Sequence, residues 1–393
     1  MSEFNFKSIC ILGRQPQLGL AELESLYGAA AVKPLGVAAA LDIEAETINF
    51  KRLGGTIKVA RVLNILPSNS WNEAYKYLVE KVPEHLGYMP EGKFTLGVSV
   101  YGLDVKLEKL NQDILKIKKV IKATGRSIRI VPNKTLALNS AQVLHNKLTH
   151  RGSWELLLIR DGDQTILAQT LFVQDIEAYA ARDQARPKRD ARVGMLPPKL
   201  AQIIVNLTNP AVGSTVLDPF CGTGVILQEA LLMGFNVIGT DLDARMVDYS
   251  KENIAWIMNQ YGLDRVTTIE TADAVAHRWS QPYDAVASEL YLGRPLTKLP
   301  SPADLKIIVQ DVNTIVKKFL INLAEQLSSG QRICLAVPAW QVGSGQFKHL
   351  PLLDHLTDMG YNYLDLKHVR REQLVYFRED QVVARQLIRI EKS

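Results

Sequence analysis

The chain has 393 residues, 47% hydrophobic and 22% charged, the proportions of a soluble globular protein too long for a single small core. No apolar run reaches membrane-spanning length and the first residues (MSEFNFKSICILG) lack a secretory leader, so a cytoplasmic protein without a membrane partner is expected. Cys10, Cys221 and Cys334 stand far apart, with no CxxC pair and no His at ligand spacing, which supports neither a disulfide framework nor a metal site. The net charge of +5 is unevenly divided. Residues 1–199 carry 28 Lys+Arg against 20 Asp+Glu, whereas residues 200–393 carry 18 against 21. The front half, at +8 against −3, is the part suited to a polyanion.

In chain order, residues 18–27 (LGLAELESLY) are predicted as a short amphipathic helix stopped by Gly28. Residues 94–100 and 127–131 alternate like half-buried strands. Between them, residues 106–124 carry Leu107, Leu110, Ile114, Ile117 and Ile121 at helical spacing. Asp161-Gly162 between two apolar runs (154–159 and 165–169) signals a hairpin. This mixture predicts an α+β front half in two small units, 1–70 and 71–175, followed by a linker rich in Arg, Asp and Pro over 176–194.

From Ser214 onward short apolar runs alternate with amphipathic stretches. Strands are expected to end at Asp218, Asp241, Asp273 and Ser288, with a fifth over 332–337, and helices over 223–233, 243–260, 303–328 and 349–359. That rhythm predicts an α/β class, a doubly wound parallel sheet over 195–393 with ligands at the carboxyl ends of its strands. Residues 361–367, 373–378 and 382–390 read instead as strands of an antiparallel edge.

The most specific segment is DPFCGTG, Asp218 to Gly224, a strand end, a tight turn and a helix start. Gly222 and Gly224 let backbone approach a ligand, and Asp241 closes the next strand, where an acid usually holds a ribose. The dinucleotide fingerprint would want a third glycine where Leu227 stands. What remains is an S-adenosyl-L-methionine pattern. The cofactor's ammonium, ribose hydroxyls and adenine amine form a line of donors, and Asp218, Asp241 and Asp273 form a matching line of acceptors. Asp273 taken alone reads equally well as a helix N-cap.

The fourth strand leads into Ser288-Glu-Leu-Tyr291. Enzymes that methylate an exocyclic ring amine place Asp, Asn or Ser before Pro-Pro-Tyr here, an acceptor for the amine and a ring to stack on the base. An ungapped count makes Glu289 the acceptor. Matching the aromatic makes it Ser288. In either register Tyr291 is the ring. A carboxylate can take up a released proton and a hydroxyl hardly can, which favours Glu289. The same loop in a binding protein would be non-catalytic. Basic residues cluster at Lys116, Lys118, Lys119, Lys122, Arg126 and Arg129, and again in the linker at Arg182, Arg186, Arg189 and Arg192. These are candidate RNA contacts, unless the first is a solvated face and the second is partly internal salt bridges.

At these residues the chain resembles the THUMP-domain RNA methyltransferases, and within them the tRNA guanine-N2 methyltransferases acting near position ten. The segments that carry the likeness are ILGRQPQLGLAEL (11–23), RDQARPKRD (182–190) with GMLPPKLA (194–201), and DPFCGTG. The resemblance implies a ferredoxin-like unit, a THUMP unit that grips tRNA, and a class I methyltransferase domain. It implies a cofactor pocket with Phe220, Cys221, Thr223, Leu242 and Ala272 beside the acids, completed by the segment holding Pro198. Ser-Glu-Leu-Tyr stands where the family has Asp-Pro-Pro-Tyr. The rival readings are a DNA adenine-N6 methyltransferase and a catalytically silent tRNA binder.

Overall fold

The computed structural model describes residues 4–89, 91–190 and 195–393; Arg192 and Gly194 of the linker motifs lie outside the described residues. The chain divides into two units. One holds residues 1–16, 30–50 and 56–177, the other residues 17–29, 51–55 and 178–393.

The first unit is built on one eight-stranded sheet. Its order is Val32–Leu35, Ala38–Leu41, Ser8–Leu12, Thr56–Leu66, Gln164–Val173, Ser153–Asp161, Phe94–Tyr101, Ile128–Ile130. Phe94–Tyr101 runs parallel to both its neighbours and the other pairs are antiparallel. Parallel neighbours need a crossover, and the helix Leu107–Ala123 supplies it, burying Leu110, Ile114, Ile117 and Ile121. The boundary expected near residue 70 falls within this sheet. Thr56–Leu66 is eleven residues long and pairs with Ser8–Leu12 on one side and Gln164–Val173 on the other. A helix that the sequence reading missed, Trp71–Leu86, adds Trp71, Ala74, Leu78 and Val82 to the same core, and Trp71 Nε1 donates to Asp113 at 3.0 Å.

An ion pair is sealed inside this unit. Lys58 and Glu155 are both fully buried and paired. Lys58 Nζ also donates to the Leu138 carbonyl at 2.7 Å, and Glu155 accepts from Ser99 Oγ at 2.6 Å and Thr170 Oγ1 at 2.7 Å. Every partner comes from a different strand or loop, so the network ties the sheet's register together.

The second unit is the doubly wound sheet. Its path is Thr267–Thr271, Asn236–Asp241, Thr215–Asp218, Ala285–Glu289, Arg332–Gly343, Val383–Lys392, Tyr361–Tyr363. The first five are parallel; the last two add an antiparallel edge, as expected. The chain works outward from Thr215–Asp218 in one direction and then returns to continue in the other. The switch point therefore lies between Thr215–Asp218 and Ala285–Glu289, where such sheets bind ligands. Several boundaries differ from expectation, among them these. The third strand stops at Thr271, leaving Asp273 in the following turn. The long helix ends at Ala324 rather than 328. The helix expected over 349–359 is two 3-10 turns, Pro351–His355 and Thr357–Met359.

The helix Pro16–Tyr27 contributes Gln17–Tyr27 to this second unit despite its place near the start of the chain. Its Glu22, wholly buried, accepts from the Gly54 and Gly55 amides at 2.9 and 2.8 Å and from Asn206 Nδ2 at 2.7 Å. A Cβ on Gly55 would lie 2.4 Å from the Gly19 backbone, so the close approach excludes other residues there.

Candidate active site

A cavity of about 750 Å³ opens at the switch point, large enough for a nucleoside cofactor and part of a substrate. One end is the glycine turn. Asp218 is 1% exposed, and its Oδ1 accepts from the Phe220 amide at 3.3 Å and from Ser288 Oγ at 2.6 Å. Burial pushes its carboxyl up to about 7, against the pull of those two donors. Asp241 accepts from the Gly222 amide at 2.9 Å and the Asp243 amide at 3.0 Å. Burial raises its pKa too, with the backbone donors offsetting part of the rise. The Leu242 amide also donates toward this carboxylate, and the residue lines the cavity.

Asp218, Phe220, Cys221, Gly222, Thr223, Asp241, Leu242, Ala272 and Asp273 all line this cavity. Asp273 also accepts from the Val275 amide at 3.1 Å, so it terminates the turn and faces the cavity at once. Two expected cofactor residues are placed elsewhere. Gly224 sits at φ +83° where a Cβ would come within 2.5 Å of Ser250 Oγ. It serves the packing of the helix Val225–Leu232 against Ala244–Tyr261. Pro198 is buried at the first turn of the helix Pro198–Thr208, where its fixed φ suits a helix start. Met195 and Leu196, just ahead of it, reach the cavity instead.

The other end of the cavity separates the two registers of the fourth-strand motif. Successive side chains of a strand point to opposite faces. Ser288 is fully buried, bound to Asp218 and off the cavity wall, whereas Glu289 is on it. Tyr291 also lines the cavity and is 45% exposed. Glu289 Oε1 accepts a hydrogen bond from Nε of Arg385, a residue 5% exposed on the strand Val383–Lys392. Burial pushes the Glu289 carboxyl up, and the Arg385 guanidinium offsets part of that rise. Sequence reasoning missed Arg385. No local motif marks it, and it reaches Glu289 only through the antiparallel pairing of Val383–Lys392 with Arg332–Gly343.

The candidate RNA contacts sort by burial. Lys119, Lys122 and Arg129 are exposed and Lys118 is half-buried. Lys116 pairs with Asp113 at 2.9 Å, and Arg126 donates to the Leu86 carbonyl at 3.4 Å. In the linker segment Arg189 is exposed, whereas Arg182 and Arg186 are 8% and 3% exposed. Arg182 Nε binds the buried Glu229 at 2.8 Å, since an acid inside a helix packing face needs a paired charge.

Comparison with known proteins falls on the same segment. Residues 186–339 match the UPF0020 family, described as an RMKL-like methyltransferase domain, and residues 110–252 match an N6/N4 DNA methylase family. The tRNA (guanine(10)-N2)-dimethyltransferase of Methanothermobacter thermautotrophicus is 34% identical over 178 residues, 45% of this chain and 48% of that protein. The protein of the same name from Methanocaldococcus jannaschii is 36% identical over 115 residues, 28% of this chain and 32% of that protein. The chain thus matches half or less of each relative's length. Among solved structures, TrmN from Thermus thermophilus aligns over 99% of this chain and 100% of its own with a TM-score of 0.55 at 17% identity, a likeness of fold. The strand order, the glycine turn and the family match coincide: the second unit has the class I methyltransferase fold, and its residues 186–339 are similar to a methyltransferase domain.

Proposed function

We propose that the protein is an S-adenosylmethionine-dependent methyltransferase acting on the exocyclic N2 amine of a guanine in tRNA, near position ten. The observation that carries the reading is one cavity holding the acids of the glycine-turn end and the Glu289–Tyr291 end together at the switch point. The cavity's donor and acceptor chemistry fits the cofactor. Asp218 suits an ammonium, Asp241 keeps acceptor capacity for ribose hydroxyls, and Asp273, in the turn after the next strand, lines the cavity for the adenine side.

When bound, the cofactor supplies a methyl group carried on a sulfonium. The chain's own residues do the rest. Tyr291 stacks on the base, and Glu289 accepts an N–H of the amine, whose lone pair is otherwise delocalised into the ring. As the amine nitrogen gains its new bond, Glu289 takes up the proton released. Ser288 acts on this chemistry through Asp218, which it holds. In the same reading residues 1–70 and 71–175 are ferredoxin-like and THUMP-like elements sharing one sheet, with Lys118, Lys119, Lys122, Arg129 and Arg189 toward tRNA phosphates. The relatives' names and the basic balance of the front half support this assignment.

The match of residues 110–252 to DNA methylases supports a second reading, transfer to an adenine N6 amine in DNA. Labelled methyl transfer to unmodified tRNA and to duplex DNA, side by side, separates them. The proposal expects label in tRNA guanine alone; label in DNA adenine would overturn it.

A further inference from the structure

The Glu289–Arg385 pair has more chemistry than proton uptake requires. Both residues line the cavity beside Tyr291. Only Nε of Arg385 is engaged; among the described residues none accepts a hydrogen bond from either of its Nη nitrogens. A guanidinium 5% exposed, with two donor nitrogens unused on a cavity wall, is set up to bind an acceptor that enters the cavity.

We propose that Arg385 and Glu289 together read the Watson–Crick edge of the target base and select guanine; the inference rests on the guanine-N2 reading above. Guanine presents, in order, the O6 acceptor, the N1–H donor and the N2 amine. A carboxylate bound edge-on to a guanidinium presents the complement: two acceptor oxygens for N1–H and N2–H, and beside them an N–H donor for O6. Adenine reverses this pattern, with a donor at C6 and an acceptor at N1. It would set donor against guanidinium and lone pair against carboxylate. Arg385 also keeps Glu289 in place, as an acid with one oxygen already held has little freedom to turn. Arg385 is thus a specificity-determining residue for the base that Glu289 serves.

The test uses the full chain and unmodified tRNA transcripts bearing guanine, inosine or 2,6-diaminopurine at the position the wild-type protein methylates. Inosine keeps O6 and N1–H but has no amine; 2,6-diaminopurine keeps the amine but reverses the other two groups. For the wild type, kcat/KM with guanine should exceed that with 2,6-diaminopurine by about a hundredfold or more, and inosine tRNA should compete with the guanine substrate. Arg385→Lys, which retains the charge but not the fork of donors, should lower the guanine preference by at least about tenfold. Its affinity for S-adenosylhomocysteine should stay at the wild-type value, a result that a merely structural role would not combine with altered selectivity. Equal rates on guanine and 2,6-diaminopurine by the wild type, or equal slowing of both by Arg385→Lys, would overturn the pair while leaving guanine methylation standing. Should Arg385→Lys not fold, the wild-type preference and the inosine competition decide alone. Absence of methyl transfer to any guanine would overturn the functional reading itself, and the pair with it.

Discussion

Asp218 and Glu289 are both carboxylates drawn out of water, and their neighbours give them different work. Asp218 is held at about 7, so in the free protein it ionises only as pH rises through neutrality. An acid raised above its ordinary 3.8 adds stability below that value and loses it as pH climbs through 7. The ionised form is the one that suits an ammonium. Affinity for S-adenosylhomocysteine should therefore fall by up to about tenfold per pH unit between pH 7 and 6, and Asp218→Asn should flatten the profile. Calorimetric titration at several pH values checks this; a level wild-type profile would remove Asp218 from the ammonium's partner list. At Glu289, Glu289→Gln keeps the shape and one acceptor but cannot take a proton. It should slow single-turnover methylation about a hundredfold with cofactor affinity unchanged. Ser288→Ala should instead weaken cofactor binding, because Ser288 is buried and bonds Asp218. A rate loss confined to Ser288→Ala would restore the other register. The residues themselves could be picked from sequence because strand-tip acids beside a glycine turn are local. Arg385 could not, since its partner stands 96 positions earlier.

At the scale of elements, the strand–helix alternation after Ser214 was legible because each run carries its own period, and the antiparallel edge was legible for the same reason. Failures came where tertiary packing overrode local signals. Arg182, read as a phosphate contact or an internal salt bridge, is the latter: it sits in the helix Ile176–Gln184 and answers Glu229 from the buried helix Val225–Leu232. The stretch expected as one helix over 349–359 is instead two 3-10 turns that meet at Leu356. In the first unit the buried pair Lys58–Glu155 links elements no periodicity would connect. Replacing Lys58 with Met leaves Glu155 buried without its counter-charge and should destabilise the protein by roughly 3–5 kcal/mol. Lys58→Met/Glu155→Leu should recover part of that loss. Urea denaturation of both variants measures it, and a single variant as stable as the wild type would show that Ser99 and Thr170 suffice for Glu155.

For the whole molecule, charge asymmetry was visible in composition, but the path of the chain was not. Gln17–Ala29 and Lys51–Gly55 belong with the methyltransferase unit, so a fragment cut at residue 175 would separate Glu22 from Asn206. tRNA binding is therefore best probed in the full chain. Replacing Lys118 and Lys119 with Ala should weaken tRNA binding and flatten its salt dependence by up to about two units, with cofactor binding intact. An unchanged slope would move the RNA surface away from that helix. In the proposed function, the cavity at the switch point delivers a methyl group to a guanine amine of tRNA. Mass spectrometry of nucleosides from unmodified tRNA, after incubation with the protein and S-adenosylmethionine, tests it most directly. The account predicts N2-methylated guanosine, greatly diminished with Glu289→Gln; tRNA that stays unmodified, or a methyl group on any other nucleoside atom, would contradict it.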